Sequence, residues 1–473
     1  MVSPSDRVLV AGVDSSTQSV KVVIRNAATG ELIRSGRAHH PVGTEVDPEF
    51  WWLALQEAIQ SAGGLEDVSG ISIGGQQHGM VVLNMDGKVI RPALLWNDTR
   101  SAQAASDLND EYEQLHEGEP ISAAVGSRLV AAFTASKIRW LADHEPENAD
   151  RVAAIALPHD WLSWKLSGCQ KLSDLFTDRS DASGTGYFDP VASEYRRDIL
   201  ALALKSDREI ILPRVLGPFE IAARTATGIA IGVGCGDNAG AALGVGAQRG
   251  DVVVSLGTSG TAFSVSKRPT HDSRGYVAGF DDATGNFLPL VCTLNAARIL
   301  DAGAKILGLS LNEFGERALA GKPGADGLTL LPYFQGERTP DRPEATGTLT
   351  GLSLSNSNPE NFARAMIEGM LCGMVDAVSQ LEEQGVEIGR ILLIGGAAKN
   401  PAIAPIASSL FGKPVYLPQD GEYVADGAAK QIAWALQGSQ PQWSVATMDF
   451  VESEHYPLVM DRYLALVDRT KSW

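Results

Sequence analysis

Apolar residues recur in short unbroken runs separated by small polar turns, a rhythm that predicts alternating strands and helices. Residues 8–13 are continuously apolar, Asp14-Ser15-Ser16-Thr17-Gln18-Ser19 is a polar turn, and residues 20–24 are apolar again. This reads as two paired strands, closed by Asn26-Ala27-Ala28-Thr29-Gly30. A helix is signalled near position 47, where Asp47 suits the N-cap and Pro48 the first turn. Trp51, Leu55, Ala58, Ile59 and Ala62 then share one face, and Gly63-Gly64 end it. Residues 70–73 give the next strand, running into Gly74-Gly75-Gln76-Gln77-His78-Gly79, and residues 81–83 resume strand character. Residues 123–144 read as mostly helical. Residues 229–233 form a short apolar strand leading into Gly234-Cys235-Gly236-Asp237-Asn238, with an Ala/Gly-rich helix from Ala239.

The pattern then restarts. Residues 252–255 are a strand, Leu256-Gly257-Thr258-Ser259-Gly260 a turn and residues 261–265 a strand. Set against the opening, VAGVDSSTQSVKVVI aligns with DVVVSLGTSGTAFSV, Asp14 opposite Ser255 and Thr17 opposite Thr258. Such an echo of one supersecondary unit predicts two related lobes dividing near residues 246–250. In the second lobe Asn358-Pro359 starts a long helix with Phe362, Met366, Met370, Met374 and Val378 at four-residue spacing, a stripe that reads as core filling. A strand over residues 391–394 leads into Gly395-Gly396-Ala397-Ala398, and a helix is expected from Asn400-Pro401 to Gly412.

The 473 residues are 44% apolar and 20% charged, ample for a packed core, and two or three domains fit the length. The formal net charge of -18 argues against a broad nucleic-acid surface while leaving local phosphate binding open. Cys169, Cys235, Cys292 and Cys372 contain no C-x-x-C pair, which argues against structural zinc and for reduced thiols. The MVSPSDR start lacks the pattern of an export signal, and no apolar run suits a membrane span, so a cytoplasmic protein is expected.

Three turns follow apolar strands and are built from small residues: 14–19, 257–260 and 395–398. Such turns let backbone N–H groups approach the phosphates of a nucleotide, although most turns of this composition only reverse the chain. Asp14, at a strand end, could hold Mg²⁺ directly or through water, and Lys21 could neutralise phosphate or, by strict alternation, face solvent. No G-x-x-x-x-G-K-[ST] motif is present. Gly234-x-Gly236-x-x-Ala239 loosely fits a dinucleotide fingerprint, but it sits mid-chain, and the next acid, Asp251, begins a strand instead of ending one. Asp237 suits a proton acceptor for an alcohol at a helix N-terminus, and equally an N-cap.

The segments 12–21, Gly75-Gln76-Gln77-His78-Gly79, Trp96-Asn97-Asp98-Thr99-Arg100, 133–140, Gly236-Asp237-Asn238, 255–260, Leu331-Pro332-Tyr333, Gly336-Glu337-Arg338-Thr339-Pro340, 347–368 and Gly395-Gly396-Ala397 together resemble the FGGY carbohydrate kinases of the actin-like ATPase superfamily. The resemblance covers nearly the whole chain. It implies an α/β fold of two actin-like ATPase (ribonuclease H-like) lobes with a deep interlobe cleft. Residues 1–246 would carry the sugar site and catalytic base, and residues 247–473 the ATP site.

The Q-x-H-G and W-N-D-x-R segments are similar to those of ketopentose kinases. They imply D-xylulose as substrate, D-xylulose 5-phosphate as product, and ATP with Mg²⁺ as cofactors. The alternatives are another ketose or polyol (ribulose, a deoxy-ketose, gluconate) or a non-kinase ATPase on the same fold. By the same resemblance Gln77, His78, Trp96, Asp98 and Asn238 surround the sugar and Asp237 takes the proton. Asp14 assists catalysis and holds the metal, while Ser16, Thr17, Lys21, Gly257, Thr258, Gly395, Gly396, Ala397 and Asn400 line the nucleotide. Gln77 stands where Met is common in such kinases, Ser16 where Gly is common, and Ala132 replaces the usual opening residue of the family's first signature, which 133–140 resembles. A neutral polyol offers no charge, so fixed Gln, His, Trp, Asn and Asp groups suit it. No nucleic-acid or membrane partner is implied, and a homodimer is compatible.

Overall fold

The computed structural model describes residues 8–443 and 448–471; the MVSPSDR start, with its reading for export, lies outside them. The N-terminal apolar runs build one mixed sheet. Strands β1 (Leu9–Ser15), β2 (Ser19–Asn26) and β3 (Leu32–His39) form an antiparallel meander, and β1 pairs on its other side, in parallel, with β4 (Val68–Gly75). Strand β5 (Ile221–Arg224) runs antiparallel to β6 (Ala230–Gly232), which lies parallel to β4, so the order is β5-β6-β4-β1-β2-β3. Strand β7 (Cys235–Gly236) continues the parallel pairing along the end of β4.

Both faces of β1 are covered, which is why its sequence is apolar without alternation. Ala11 and Val13 belong to a core with Trp51, Leu55 and Ala58 of the Pro48–Ser61 helix. Val10 packs instead with Ala425, Ala429 and Ile432 of the Tyr423–Gln437 helix. The Pro48–Ser61 helix starts as expected, Asp47 accepting from the Glu49 N–H at 3.0 Å.

The other covering helix lies unusually close. A Cβ on Gly12 would stand 1.9 Å from the Ala425 carbonyl oxygen, and one on Gly427 1.9 Å from the Gly240 carbonyl oxygen. The Tyr423–Gln437 helix therefore touches β1 and the Asp237–Val245 helix backbone to backbone.

Residues 123–144 are mostly helical as expected, in two pieces: Ile121–Val125 ends at Gly126, whose φ of 75° leaves the helical region, and a second helix runs Thr134–His144. One expectation is corrected. The Ala/Gly-rich helix begins at Asp237 instead of Ala239.

The compact unit built on this sheet takes described residues 8–246, 267–288 and 420–443. A second unit takes 247–266, 289–419 and 448–471. In the second unit β8 (Gly250–Leu256) pairs antiparallel with β9 (Gly260–Ser264), and β9 with β10 (Phe287–Thr293). Strand β8 is parallel to β11 (Ile388–Ile394), β11 to β12 (Val415–Leu417), and β13 (Asp449–Val451) closes the sheet antiparallel.

The sequence echo is thus a structural repeat: each hairpin has its first strand pinned to a later parallel strand, Asp14 beside Gly74 and Ser255 beside Ile394. Ser15 pairs with Val20 but Leu256 with Gly260, so the second turn is one residue shorter and the gapless alignment slips by one on the second strand.

The Pro359–Glu383 helix is capped by Asn358, which accepts from the Asn361 N–H at 2.9 Å, and Met366, Met370 and Met374 are buried as core. The helix expected from Asn400 begins only at Ile403, after a 3₁₀ turn over Gly396–Lys399.

Two glycines give opposite expectations. Gly427→Ala overpacks the helix crossing and should lower stability by about 1–3 kcal/mol. Gly373→Ala meets only the Tyr463 hydroxyl, at 3.6 Å, within a continuous helix, and should raise stability by about 0.4–1 kcal/mol. Thermal unfolding of both variants beside the parent checks the signs.

Candidate active site

Parallel pairing brings three strand ends level in the first unit. Asp14 and Cys235 both lie beside Gly74, and Ser15 and Gly236 both lie beside Gly75. The carboxyl ends of neighbouring parallel strands are where open α/β sheets receive ligands. Asp237 is the first helical residue, with Gly236 in the N-cap position, so its side chain is not spent as an N-cap.

The Asp237 Oδ1 accepts from the Asn238 backbone N–H at 2.8 Å and from the Asn238 Nδ2 at 2.9 Å. The same Asn238 Nδ2 reaches Gln77 Oε1 at 3.2 Å, and Gln77 Nε2 donates to the Ser180 carbonyl at 3.3 Å. The Gly236 N–H donates to Ser180 Oγ at 3.0 Å, closing a ring of polar contacts around the turn.

His78 has a φ of 69°, a conformation unfavourable for a residue with a Cβ. Its Nδ1 lies 2.6 Å from the Gly184 carbonyl, which can only accept, so Nδ1 carries the proton. The ring packs against Phe133 and Phe280, centroids 5.0 and 5.5 Å away. The His78 carbonyl receives Thr134 Oγ1 at 3.2 Å and the ammonium of the fully buried Lys137 at 3.0 Å. Part of the first signature thus holds the strained His78 turn.

Trp96 donates its indole N–H to Thr17 Oγ1 at 3.0 Å, joining two segments that the sequence separates. Asp98 accepts from the Arg100 backbone N–H and Nε at 3.0 and 2.9 Å. Burial pushes the Asp98 carboxyl up, but the Arg100 bonds and one from Thr44 outweigh it and hold it below the usual carboxylate range.

Asp14 and Lys21 are direct cross-strand partners, Oδ2 to Nζ 3.3 Å, and Lys21 also meets Glu422 at 2.6 Å. Lys21 is therefore engaged by two carboxylates, with its side chain partly exposed. The Ser16 N–H and hydroxyl both donate to the Ser19 carbonyl, closing the 14–19 turn. Asp14 Oδ1 is buried with no hydrogen-bond partner. Burial raises the Asp14 pKa against the pull of Lys21. Asp237, half-buried by accessible surface yet packed deep among protein atoms, is pushed up to about 7, first by burial and then by the charge of Asp14.

In the second unit, Gly257 and Thr258 follow β8 and Gly395, Gly396 and Ala397 follow its parallel neighbour β11, so these turns lie side by side. Gly395 has a φ of 99°, and a Cβ there would meet the Leu256 carbonyl oxygen at 2.6 Å. Gly396 borders open space, Thr258 is exposed and Ala397 is buried. Asn400 differs: its Nδ2 donates to the Leu311 carbonyl at 2.6 Å and its Oδ1 accepts from the Ala402 N–H at 3.1 Å, so its amide serves the fold.

Residues 9–252 match the model for the FGGY family of carbohydrate kinases, N-terminal domain, and residues 252–436 match that for the C-terminal domain. The chain belongs to the FGGY family of carbohydrate kinases. A protein named xylulose kinase from Streptomyces coelicolor is 41% identical, aligned over 97% of this chain and 96% of its own. One of the same name from Streptomyces rubiginosus is 40% identical over 96% and 94%. The crystal structure of xylulose kinase from Bifidobacterium adolescentis superposes with a TM-score of 0.90 at 47% identity, covering 98% of this chain and 99% of that one.

This FGGY kinase therefore has the two-domain α/β fold of the actin-like ATPase type and uses ATP as phosphoryl donor. Among its described residues no helix is long and apolar enough to cross a membrane, and the four cysteines are unpaired. Several positioning groups escaped sequence reasoning. Gln431 clamps the Gly234 peptide from both sides, accepting from its N–H at 3.1 Å and donating to its carbonyl at 2.7 Å. Ser180 and Gly184 lie in the hydroxyl-rich run 180–185, whose density of small polar residues was the available signal. Phe280 and Gln431 carried none.

A carboxyl whose folded-state pKa exceeds its unfolded value costs the folded state stability once it ionises. For Asp237 that penalty is absent below about pH 4, the ordinary range of Asp. It grows as pH rises and is full above about 7. Asp237→Asn should therefore raise the melting temperature of the magnesium-free kinase more at pH 8 than at pH 5, read by calorimetry at both values.

Proposed function

We propose that this kinase transfers the γ-phosphoryl group of ATP to the 5-hydroxyl of D-xylulose, with Asp237 as general base. The observation that carries the reading is the Asp237 carboxyl held near neutrality at the ends of three level strands, beside a ring of uncharged hydrogen-bonding side chains. The names of the relatives at 40–47% identity support the choice of ketose.

A base with pKa near 7 accepts a hydroxyl proton without being wholly protonated at working pH. Asn238 fixes the carboxylate by donating twice to Oδ1, which leaves Oδ2 for the substrate hydroxyl. Gln77, His78 and Trp96 are assigned to the sugar. Trp96 is braced by Thr17, which ties the residue assigned to the sugar to the turn assigned to the phosphates. Asp98 is assigned to holding its own turn through Arg100, next to the sugar.

The unpartnered Asp14 Oδ1, on a carboxyl whose pKa is raised by burial, fits a site for Mg²⁺. Bound there, the ion would neutralise charge on the phosphates during transfer. Lys21 is assigned to holding Asp14. Ser16 and Thr17 present a closed turn to the phosphates. Gly257, Thr258, Gly395, Gly396 and Ala397 are assigned to the nucleotide, because glycine at 395 and 396 leaves the backbone approachable. Four unpaired thiols and the use of ATP support the reading of a cytoplasmic enzyme.

A coupled ATP assay over D-xylulose, D-ribulose, a deoxy-ketose and gluconate tests the substrate. D-xylulose should give the highest kcat/KM, and another leading sugar would overturn the assignment. Asp237→Asn should lower kcat by about 10²–10⁴. A loss smaller than tenfold would remove Asp237 from the role of base.

A further inference from the structure

Behind the Asp237 turn lies a buried charge cluster that the reaction itself does not use. His159, in the first turn of the Pro158–Leu166 helix, is fully buried. Its Nε2 lies 3.2 Å from Asp160 Oδ1, 3.1 Å from Asp181 Oδ2 and 3.6 Å from Asp178 Oδ1. Asp160 and Asp181 are fully buried too, and Asp178 nearly so. No Lys or Arg ion pair reaches these three carboxylates among the described residues, so the imidazole is their sole cationic partner. Burial alone would strip the ring of its proton, but Asp160, then Asp178 and Asp181, outweigh it and raise its pKa well above the ordinary value.

The cluster is mechanically continuous with the Asp237 turn. A Cβ on Gly234 would stand 2.4 Å from His159 Nδ1, and one on Gly75 would stand 3.0 Å from His159 Cβ. His159 thus fills the space left by two glycines, its backbone and Cβ against Gly75 at the end of β4 and its ring against Gly234, which opens the turn to Asp237. Asp178 accepts from the Ser180 and Asp181 N–H groups at 2.8 and 3.1 Å, and so sets the 178–181 turn. From that turn Ser180 receives both the Gly236 N–H and the Gln77 side chain.

We propose that His159 is a positioning residue whose imidazolium, held among Asp160, Asp178 and Asp181, locks the 178–181 turn against the Gly234–Gly236 turn and so fixes Asp237. The proposal rests on the reading of Asp237 as base. Burial already pushes Asp160 up to about 7 and Asp181 up to about 6, so loss of the positive charge leaves them to take up protons or to repel Asp178, and the turn that rearranges around them releases Ser180 from Gly236 and Gln77. A misplacement of the base by even 1 Å costs roughly 10²-fold in turnover.

The test compares the full-length protein with His159→Gln, which is neutral, and His159→Lys, which keeps a cation. His159→Gln should lose kcat by roughly 10²-fold, with both KM values within threefold of the parent. Amide hydrogen exchange at residues 234–238 should accelerate in His159→Gln. His159→Lys should recover most of the turnover and the protection.

If His159→Gln fails to fold, His159→Lys decides alone: folded and active it supports the proposal, unfolded or inactive it overturns it. Unchanged turnover and exchange in His159→Gln also overturn it, as does equal damage in both variants. A stoichiometric transition metal in the purified protein, found by elemental analysis and removed by a chelator, would show the cluster to be a metal site and end the cation account. Parent and Asp237→Asn run alongside: full turnover in Asp237→Asn sinks the base assignment, while the exchange result still judges His159.

Discussion

Carboxylates are expensive to bury, and this fold buries several within a short distance of three strand ends. Asp14 is the penultimate residue of β1, the half-buried Asp237 follows β7, and the buried Asp160, Asp178 and Asp181 stand behind them. Isolated buried carboxylates shift their pKa upward to shed charge. The structure compensates unevenly. Asp14 has Lys21, the rear cluster has His159, and Asp237 has only two donors from Asn238. Asp237 and Asp160 are both pushed up to about 7, but Asp160 is fully enclosed while Asp237 is only half-buried at the strand ends, and that access gives Asp237 the character of a base.

Backbone proximity makes the arrangement possible. Gly12, Gly427 and Gly234 each occupy a point where a Cβ would collide with backbone or with His159. Without them the Tyr423–Gln437 helix could not lie on β1, and Gln431 on that helix could not clamp the Gly234 peptide. The chain returns to its first unit late in the sequence, at residue 420, and that return supplies the clamp.

Local physics made much of this legible in advance. The hairpin repeat, the Asp47-Pro48 and Asn358-Pro359 starts, and the turn carrying Asp237 all follow from neighbours in sequence. The failures have physical causes as well. Gly126 divides the mostly helical stretch 123–144 in two, because a left-handed residue ends helical geometry whatever the flanking propensity. For Lys21 the sequence left phosphate and solvent open, because the ion pair it forms beside Asp14 with Glu422, some four hundred positions away, has no local signal. Asn400, expected at the nucleotide, also gives an amide hydrogen to the distant Leu311 carbonyl, a contact without local signal. His159 gave no sign at all, since one histidine before an Asp-Trp pair says nothing about three carboxylates converging on it.

The central claim is that burial and the neighbouring Asp14 charge together hold Asp237 near neutrality. Carboxyl-carbon NMR of the magnesium-free protein, with the Asp237 resonance assigned by its loss in Asp237→Asn, measures this directly. The account predicts titration near pH 7 in the parent and a fall on the order of one unit when Asp14 is replaced by Asn. Titration of Asp237 in the ordinary carboxylate range, unmoved by Asp14→Asn, would contradict it.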